Sequence, residues 1–449
     1  MRKGLIAICL SSPRSACMAE CDWVRPFTSG FVALLLAPLL FSLRADGLAS
    51  ASSAQPEFAA GGAMDGDRFS AQASHAWKGQ AGNESWWWEV SFPLSRKVGA
   101  ILQVQGDHGF VLTNAPLSYV WQSSLDGKAW RDLPATRISA ERRTYRLHRL
   151  SRAVTCQHLR LLVHSVTGAF PALREVEFYE EPKATIDFPD WIVVVNTTHW
   201  REVPNHGQDF IPLAKSCQGW EHVQAQQVWL GSFDEAFLAV EPRPLCAFLS
   251  GNFKDWCEVD RNWWRGTQEV LKNKHLPMWA SCGGAQGLAL LSEYGVDHKW
   301  DCPHCRDPEH PLTPIYTHLG HNGAMKACGD YSGCVFERGK YTIRQVARDP
   351  AFNGLSRDFP AEESHCGQIA WPPKGWELVA TAGPGTITRS QCLRLRDRYV
   401  YAAQFHIELP GTPETSRQIM SNFLSLAKGW GGYNAHGPPV KEPSLWSSQ

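Results

Sequence analysis

Residues 277–290 read Pro-Met-Trp-Ala-Ser-Cys-Gly-Gly-Ala-Gln-Gly-Leu-Ala-Leu, which sets a sulfur at a strand-to-helix turn. The apolar run ends at Ser281, Cys282 follows, and small residues then open a helix. Small neighbours permit the sharp turn of a nucleophile elbow. At a helix N-terminus the thiolate is favoured by the dipole and by free N–H groups. The N–H of Gly283 is a candidate oxyanion donor, and the Leu249-Ser250-Gly251-Asn252 segment is a candidate source of a second. A lone cysteine at a strand end is equally a buried structural thiol. Residues 399–409, Tyr-Val-Tyr-Ala-Ala-Gln-Phe-His-Ile-Glu-Leu, change that balance. There Glu408 is placed to orient and charge-stabilise His406, which would activate Cys282 as a nucleophile.

The elements that must position these groups alternate. Apolar strand-like runs occur at 191–196, 227–231, 245–251, 277–281, 376–382 and 399–405. Helical stretches lie at 259–273, 284–294 and from about Pro413 to Gly429, the last with apolar residues at Ile419, Phe423, Leu424 and Ala427. Such alternation predicts an α/β doubly wound domain with a mainly parallel sheet over 191–430, whose ligands sit at the carboxyl ends of the strands.

The joint pattern resembles the class I glutamine amidotransferase domain. Its nucleophile motif, G-x-C-x-G-x-Q, corresponds here to Ala280-Ser281-Cys282-Gly283-Gly284-Ala285-Gln286, and its Q-F-H-P-E motif to Gln404-Phe405-His406-Ile407-Glu408. Its S-G-G-P oxyanion loop is matched by Ser250-Gly251-Asn252-Phe253, and its S-H-x-D segment by Ser364-His365-Cys366-Gly367. The resemblance implies a Cys282–His406–Glu408 triad. It also implies oxyanion or substrate contacts at Gly251, Asn252, Gly283, Gln286, Ser364 and His365. Ala280, Asn252 and Ile407 depart from the motifs without removing a reacting group.

An insertion at 297–339 carries Cys302 and Cys305 in a C-P-H-C knuckle, then Cys328 and Cys334, with His304, His310, His318 and His321. Two cysteines at that spacing suit structural zinc, whereas export would favour disulfides. Both readings stand at this point. Catalysis by the triad itself requires no cofactor.

Upstream, residues 58–180 show short alternating runs such as 86–92, 100–106, 118–124, 158–164 and 174–180, with turns at Asp65-Gly66-Asp67 and Asp126-Gly127. Strands so spaced predict an all-β jelly-roll sandwich. The segments AMDGDRFSAQ, VGAILQVQGDHG, YVWQSSLDGKAWRDL and HLRLLVHSVTGAFPALREVEFYE resemble the discoidin or coagulation-factor type C domain. That family binds glycans, lipids or proteins through loops at one end of the sandwich, which implies a glycan or cell-surface partner. Asp65 and Asp67 are turn residues or candidate ion ligands. Residues 181–190 read as a linker, giving two modules with separate cores, and 431–449 read as a tail.

Lys+Arg and Asp+Glu are both 44, so the net charge is zero and argues against a nucleic-acid partner. The 13 residues 31–43 carry no charge, fewer than the roughly 20 of a membrane span. They fit a signal-peptide core, with cleavage at Ala49-Ser50-Ala51 and export to the periplasm or outside the cell. Of the 14 cysteines, Cys9, Cys17 and Cys21 would leave with that segment. Eleven would remain, an odd count that implies one free thiol among paired ones. No ATP-binding loop or synthetase motif accompanies the triad. The expectation is therefore an exported thiol amidohydrolase for a glutamine or γ-glutamyl amide. The alternative is a non-catalytic surface-binding protein that uses the α/β domain as a scaffold. A glutamine-analogue electrophile that forms an adduct discriminates the two.

Overall fold

The computed structural model describes residues 47–430 apart from 108–110, 199–202, 204, 274–275, 299, 301–314, 321–328 and 330. The tail at 431–449 lies outside the described residues. The first sheet holds β1 (Leu48–Ala51), β2 (Trp77–Lys78), β3 (Trp86–Gln105), β4 (Pro116–Ser124), β5 (Arg131–Asp132), β6 (Tyr145–Val166) and β7 (Ala172–Tyr179). Its order is β2-β7-β3-β6-β4-β5, with β1 paired to β3. The runs at 86–92 and 100–106 are thus two halves of one strand, and β3 and β6 shift register between Ser91 and Arg96. In the first half Trp86, Trp88, Val90 and Phe92 alternate inward into the sandwich core, as a period-2 strand requires.

The small-residue triplet Ala49-Ser50-Ala51 lies in β1, in register with Val90, Glu89 and Trp88 of β3. Cleavage there would take β1 out of the sheet. Asp65 and Asp67 act as turn residues. Asp67 accepts from the amides of Phe69 and Ser70, and Asp65 from that of Asp67.

The strands that follow are β8 (Trp191–Asn196), β9 (Gln224–Trp229), β10 (Cys246–Leu249), β11 (Met278–Ser281), β12 (Tyr316–His318), β13 (Glu337–Gln345), β14 (Asp358–His365), β15 (Gly367–Ile369), β16 (Trp376–Ala382), β17 (Cys392–Leu395) and β18 (Val400–Ala403). The helices are α1 (Phe210–Lys215), α2 (Glu235–Leu238), α3 (Arg265–Lys272), α4 (Gly283–Tyr294) and α5 (Pro413–Gly429). Nine strands run in the order β14-β13-β16-β17-β18-β11-β10-β8-β9, and β12 pairs with β15 separately. The half that carries Cys282 is parallel from β18 to β9. An antiparallel flank extends it through β17, β16, β13 and β14. Residues 191–196 are buried throughout because both faces are covered. Ile192 and Val194 join the layer with Trp279 and Phe423 of α5, while Val193 and Val195 face the layer with Leu288 of α4. No described helix is long and apolar enough to cross a membrane.

Each module has its own core, with Trp88 and Trp121 in the sandwich and Ile192, Trp279 and Phe423 in the second domain, and a shared seam joins them. Val104 and Tyr145 of the sandwich lie in the same apolar cluster as Trp191 and Val193. The 181–190 segment is docked, with Ala184 buried against Ala100 and Leu102, and Phe188 beside Tyr145. Arg143, 1% exposed, lies 5.0 Å above the Trp191 ring and donates to the carbonyls of Val240 and Pro242. Gln226 accepts from Thr144 N (3.1 Å) and donates to Arg142 O (2.9 Å). These contacts cap β9, which would otherwise offer an open edge of the nine-stranded sheet.

Candidate active site

Cys282 caps the N-terminus of α4 with φ 49° and ψ −115°. A left-handed backbone at a residue with a Cβ costs about 1–3 kcal/mol and persists only where its surroundings over-determine it. Here Cys282 N donates to Ala403 O on β18 (2.7 Å), and Cys282 O accepts from Gln286 N (3.0 Å). The turn also needs its glycines. A Cβ on Gly283 would lie 2.3 Å from Asn252 N, and one on Gly284 would lie 2.4 Å from Ser250 O. The 249–252 loop therefore packs directly on the elbow, which brings the Asn252 amide beside Gly283. Asn252's own side chain folds back onto Lys254 N and O (3.2 and 2.9 Å), which leaves its backbone to face the elbow.

Gly251 brings the two reacting groups together. A Cβ built there would lie 3.7 Å from Cys282 Cβ and 3.5 Å from His406 Cε1. His406 Nδ1 is 2.7 Å from Glu408 Oε1, and Ser281 Oγ donates to Glu408 Oε2 at 2.9 Å. Burial opposes charge on His406, but the Glu408 carboxylate and the adjoining Cys282 outweigh it and hold the imidazole well above its ordinary range. Burial likewise works against the Glu408 charge, and His406 outweighs it, keeping the carboxyl below its usual value.

The flanking candidates divide. Ser364 is exposed at the end of β14, and its carbonyl lies 3.8 Å from Cys282 Sγ. His365 does not reach into the site as a free side chain. Its Nδ1 bonds Gly367 O (2.9 Å), and its Nε2 faces Glu363 (3.0 Å) and Glu337 (3.3 Å). Although burial opposes its charge, those two carboxylates push it up to about 10. Gln286 is also committed to the protein. Its amide accepts from Trp256 Nε1 (3.0 Å) and donates to Gly367 O (2.9 Å) and Gln404 Oε1 (3.1 Å). It therefore ties the elbow helix to β15 and to the residue that follows β18. Two contributors were missed from sequence. Ser281 had a signal, since it precedes the nucleophile. His206 had none, because it lies in an irregular segment; its Nε2 is 3.1 Å from Gly251 O.

Cys302, Cys305 and Cys328 lie outside the described residues, as do His304, His310 and His321. His318 is bonded to Tyr316 Oη at 2.9 Å. Cys257 is in a disulfide, a pairing the spacing did not suggest. Cys156, Cys217, Cys246, Cys282, Cys366 and Cys392 are free thiols, so the expectation of a single free thiol is corrected. Most of these act as small buried hydrophobes, with Cys246 and Cys392 fully enclosed. Among the described residues no group of His, Cys, Asp or Glu is arranged to hold a metal ion.

The F5/8 type C domain model matches residues 49–176. A glutamine-hydrolysing GMP synthase of Thermus thermophilus is 35% identical over 78 residues, 17% of this chain and 15% of that protein. The chain carries a discoidin-type domain and a glutamine amidotransferase-like stretch. Among solved structures, a GMP synthase subunit from Thermoplasma acidophilum aligns at 17% identity and TM-score 0.39, over 55% of this chain and 98% of its own. The family 32 carbohydrate-binding module of C. perfringens NanJ, solved with galactose, aligns at 15% identity and TM-score 0.27, over 31% of this chain and 97% of its own. The chain thus spans a small part of the curated relative's length, and the discoidin match ends before the elbow.

Proposed function

We propose that the protein is a thiol amidohydrolase that cleaves a glutamine or γ-glutamyl amide. The observation that carries this reading is the Ser281–Glu408–His406 relay set against Cys282 on a left-handed elbow. The sulfur attacks the amide carbonyl while the backbone amides of Gly283 and Asn252 receive the oxyanion. The C–N bond then breaks, and His406 gives its proton to the departing amine, which leaves a γ-glutamyl thioester. Water adds to that thioester with His406 as base, the S–C bond breaks, and glutamate departs with the thiol restored. The raised His406 suits the first step, where a protonated imidazole must serve as acid. No cofactor enters these steps.

The sandwich supplies recognition of a glycan, consistent with its discoidin-type match. The charge-free run at 31–43 supports export, with cleavage upstream of β1. The test is to incubate the whole protein with a glutamine-analogue electrophile such as a diazoketone and map the adduct by mass spectrometry. An adduct on Cys282 that blocks γ-glutamyl amide hydrolysis supports the reading. Full activity with Cys282 unlabelled, or no activity on any γ-glutamyl amide, sinks it.

A further inference from the structure

The Gly251–Asn252 peptide is held by two side chains that lie outside the triad. Gly251 O accepts from Thr197 Oγ1 and faces His206 Nε2 at 3.1 Å. Thr197 is buried just past the end of β8, and its N–H donates to Ser250 Oγ at 3.1 Å. Because β8 and β10 are parallel neighbours, the two strand ends meet there. In a trans peptide the carbonyl and the following N–H point opposite ways. With Gly251 O turned toward Thr197 and His206, the Asn252 N–H is turned toward the elbow. There a Cβ on Gly283 would lie 2.3 Å from Asn252 N.

This peptide needs a hold because its own residues do not supply one. Turning it over changes ψ at Gly251 and φ at Asn252. Glycine has no Cβ to oppose the change, and asparagine takes positive φ more readily than most residues. His206 is itself fixed on both sides. Gln227 Nε2, on β9, donates to its carbonyl at 2.8 Å, and its ring lies against Phe253 with centroids 4.6 Å apart. Burial lowers the histidine below its ordinary value, so the neutral ring prevails at pH 7. A neutral imidazole has one N–H. The carbonyl of Gly251 can only accept, so Nε2 carries that proton.

We propose that His206 is a positioning residue whose Nε2–H, together with the Thr197 hydroxyl, fixes the Gly251–Asn252 peptide with its amide aimed at the developing oxyanion. It acts through that peptide and not on the sulfur. The inference rests on the amidohydrolase reading, in which the Asn252 amide receives the charge.

The test compares two reactions of one thiol in the full chain. Iodoacetamide alkylates Cys282 by displacement at a saturated carbon; the S–C bond forms as iodide leaves, and no oxyanion develops. Acyl transfer does build an oxyanion. His206→Phe keeps a ring against Phe253 and loses the N–H, whereas His206→Gln keeps a donor. In His206→Phe, kcat on a γ-glutamyl amide should fall at least about tenfold. KM should stay within about threefold, because the lost interaction belongs to the transition state. Alkylation of Cys282, followed by mass spectrometry, should stay within about twofold, since the thiolate is untouched. His206→Gln should recover most of the lost kcat. An unchanged kcat in His206→Phe, alkylation that slows in step with kcat, or equal losses in the two variants overturns the proposal.

A second acyl donor separates this proposal from the substrate assignment. p-Nitrophenyl acetate transfers its acetyl group to the sulfur and releases p-nitrophenol; Cys282→Ala gives the background. A native protein that ignores γ-glutamyl amides yet shows this Cys282-dependent burst, slowed at least about tenfold in His206→Phe, keeps the positioning role and removes the substrate reading. A burst that His206→Phe leaves intact overturns the positioning role. Neither hydrolysis nor burst in the native protein overturns both.

Discussion

Glu408 and Ser281 are 127 positions apart in sequence, yet Ser281 Oγ donates to Glu408 Oε2 at 2.9 Å while the other carboxylate oxygen faces His406. The residue before the nucleophile thus anchors the group that orients the base. Because β11 and β18 are parallel neighbours with Ser281 opposite Ala403, the two strand ends arrive at one edge together. That register makes the relay rigid, and it exposes the site to four tests.

Cys282→Ala removes the nucleophile without disturbing a packed neighbour. Hydrolysis of a γ-glutamyl amide should fall by at least about 10³-fold, with the melting curve retained. Residual activity near the native level would place the chemistry elsewhere.

Glu408→Gln keeps the shape and removes the charge that raises His406. The imidazolium then loses its proton at lower pH. The alkaline limb of kcat/KM should therefore move to lower pH, and kcat should drop by about 10²–10⁴-fold, as when a triad carboxylate is replaced. The measurement is a pH–rate profile of both proteins. A profile that falls in height without shifting its limb would assign Glu408 a packing role only.

His365 is pushed up to about 10 by Glu337 and Glu363. A raised histidine contributes stability that is fully present below its unfolded value near 6.5 and lost as pH rises through the folded value. The melting temperature of the native protein should therefore decline between pH 7 and 10. His365→Gln should melt lower at pH 7 and show a flatter decline over that window. An equal slope in both proteins, followed by calorimetry, would show that the ion cluster carries none of this dependence.

Arg143 holds the sandwich to the sheet edge through two backbone carbonyls and the face of Trp191. Arg143→Ala empties the space beside Trp191 and takes the donor from two part-buried carbonyls, and the stability loss should be about 2–3 kcal/mol. Urea titration measures it. A chain begun at residue 182 should be worse, since Trp191, Gln226 and the β9 edge lose their cover. A folded, active chain from 182 onward would restore the picture of two independent modules.

Much of the site was legible because its chemistry is local. An apolar run that stops at a small-residue turn announces an elbow, and a histidine two residues before a glutamate at a strand end announces a base with its orienter. Strand Trp191–Asn196 and helix Pro413–Gly429 were legible for the same reason, since burial on two faces or one leaves a periodic trace. Two strands of the antiparallel flank were not, because Glu337–Gln345 and Asp358–His365 are mostly polar and show no regular alternation.

The sequence by itself determined which residues are chemically able to react and which segments must be strands or helices. Both follow from side-chain type and short-range period. Only the tertiary structure decided what His365 and Gln286 do, because their roles depend on Glu337, Glu363, Trp256 and Gln404, drawn from across the chain. It alone decided that the sandwich seals the sheet edge. A polar seam of Arg143, Thr144 and Gln226 has no sequence period, and its meaning appears only when each buried donor meets an acceptor far along the chain.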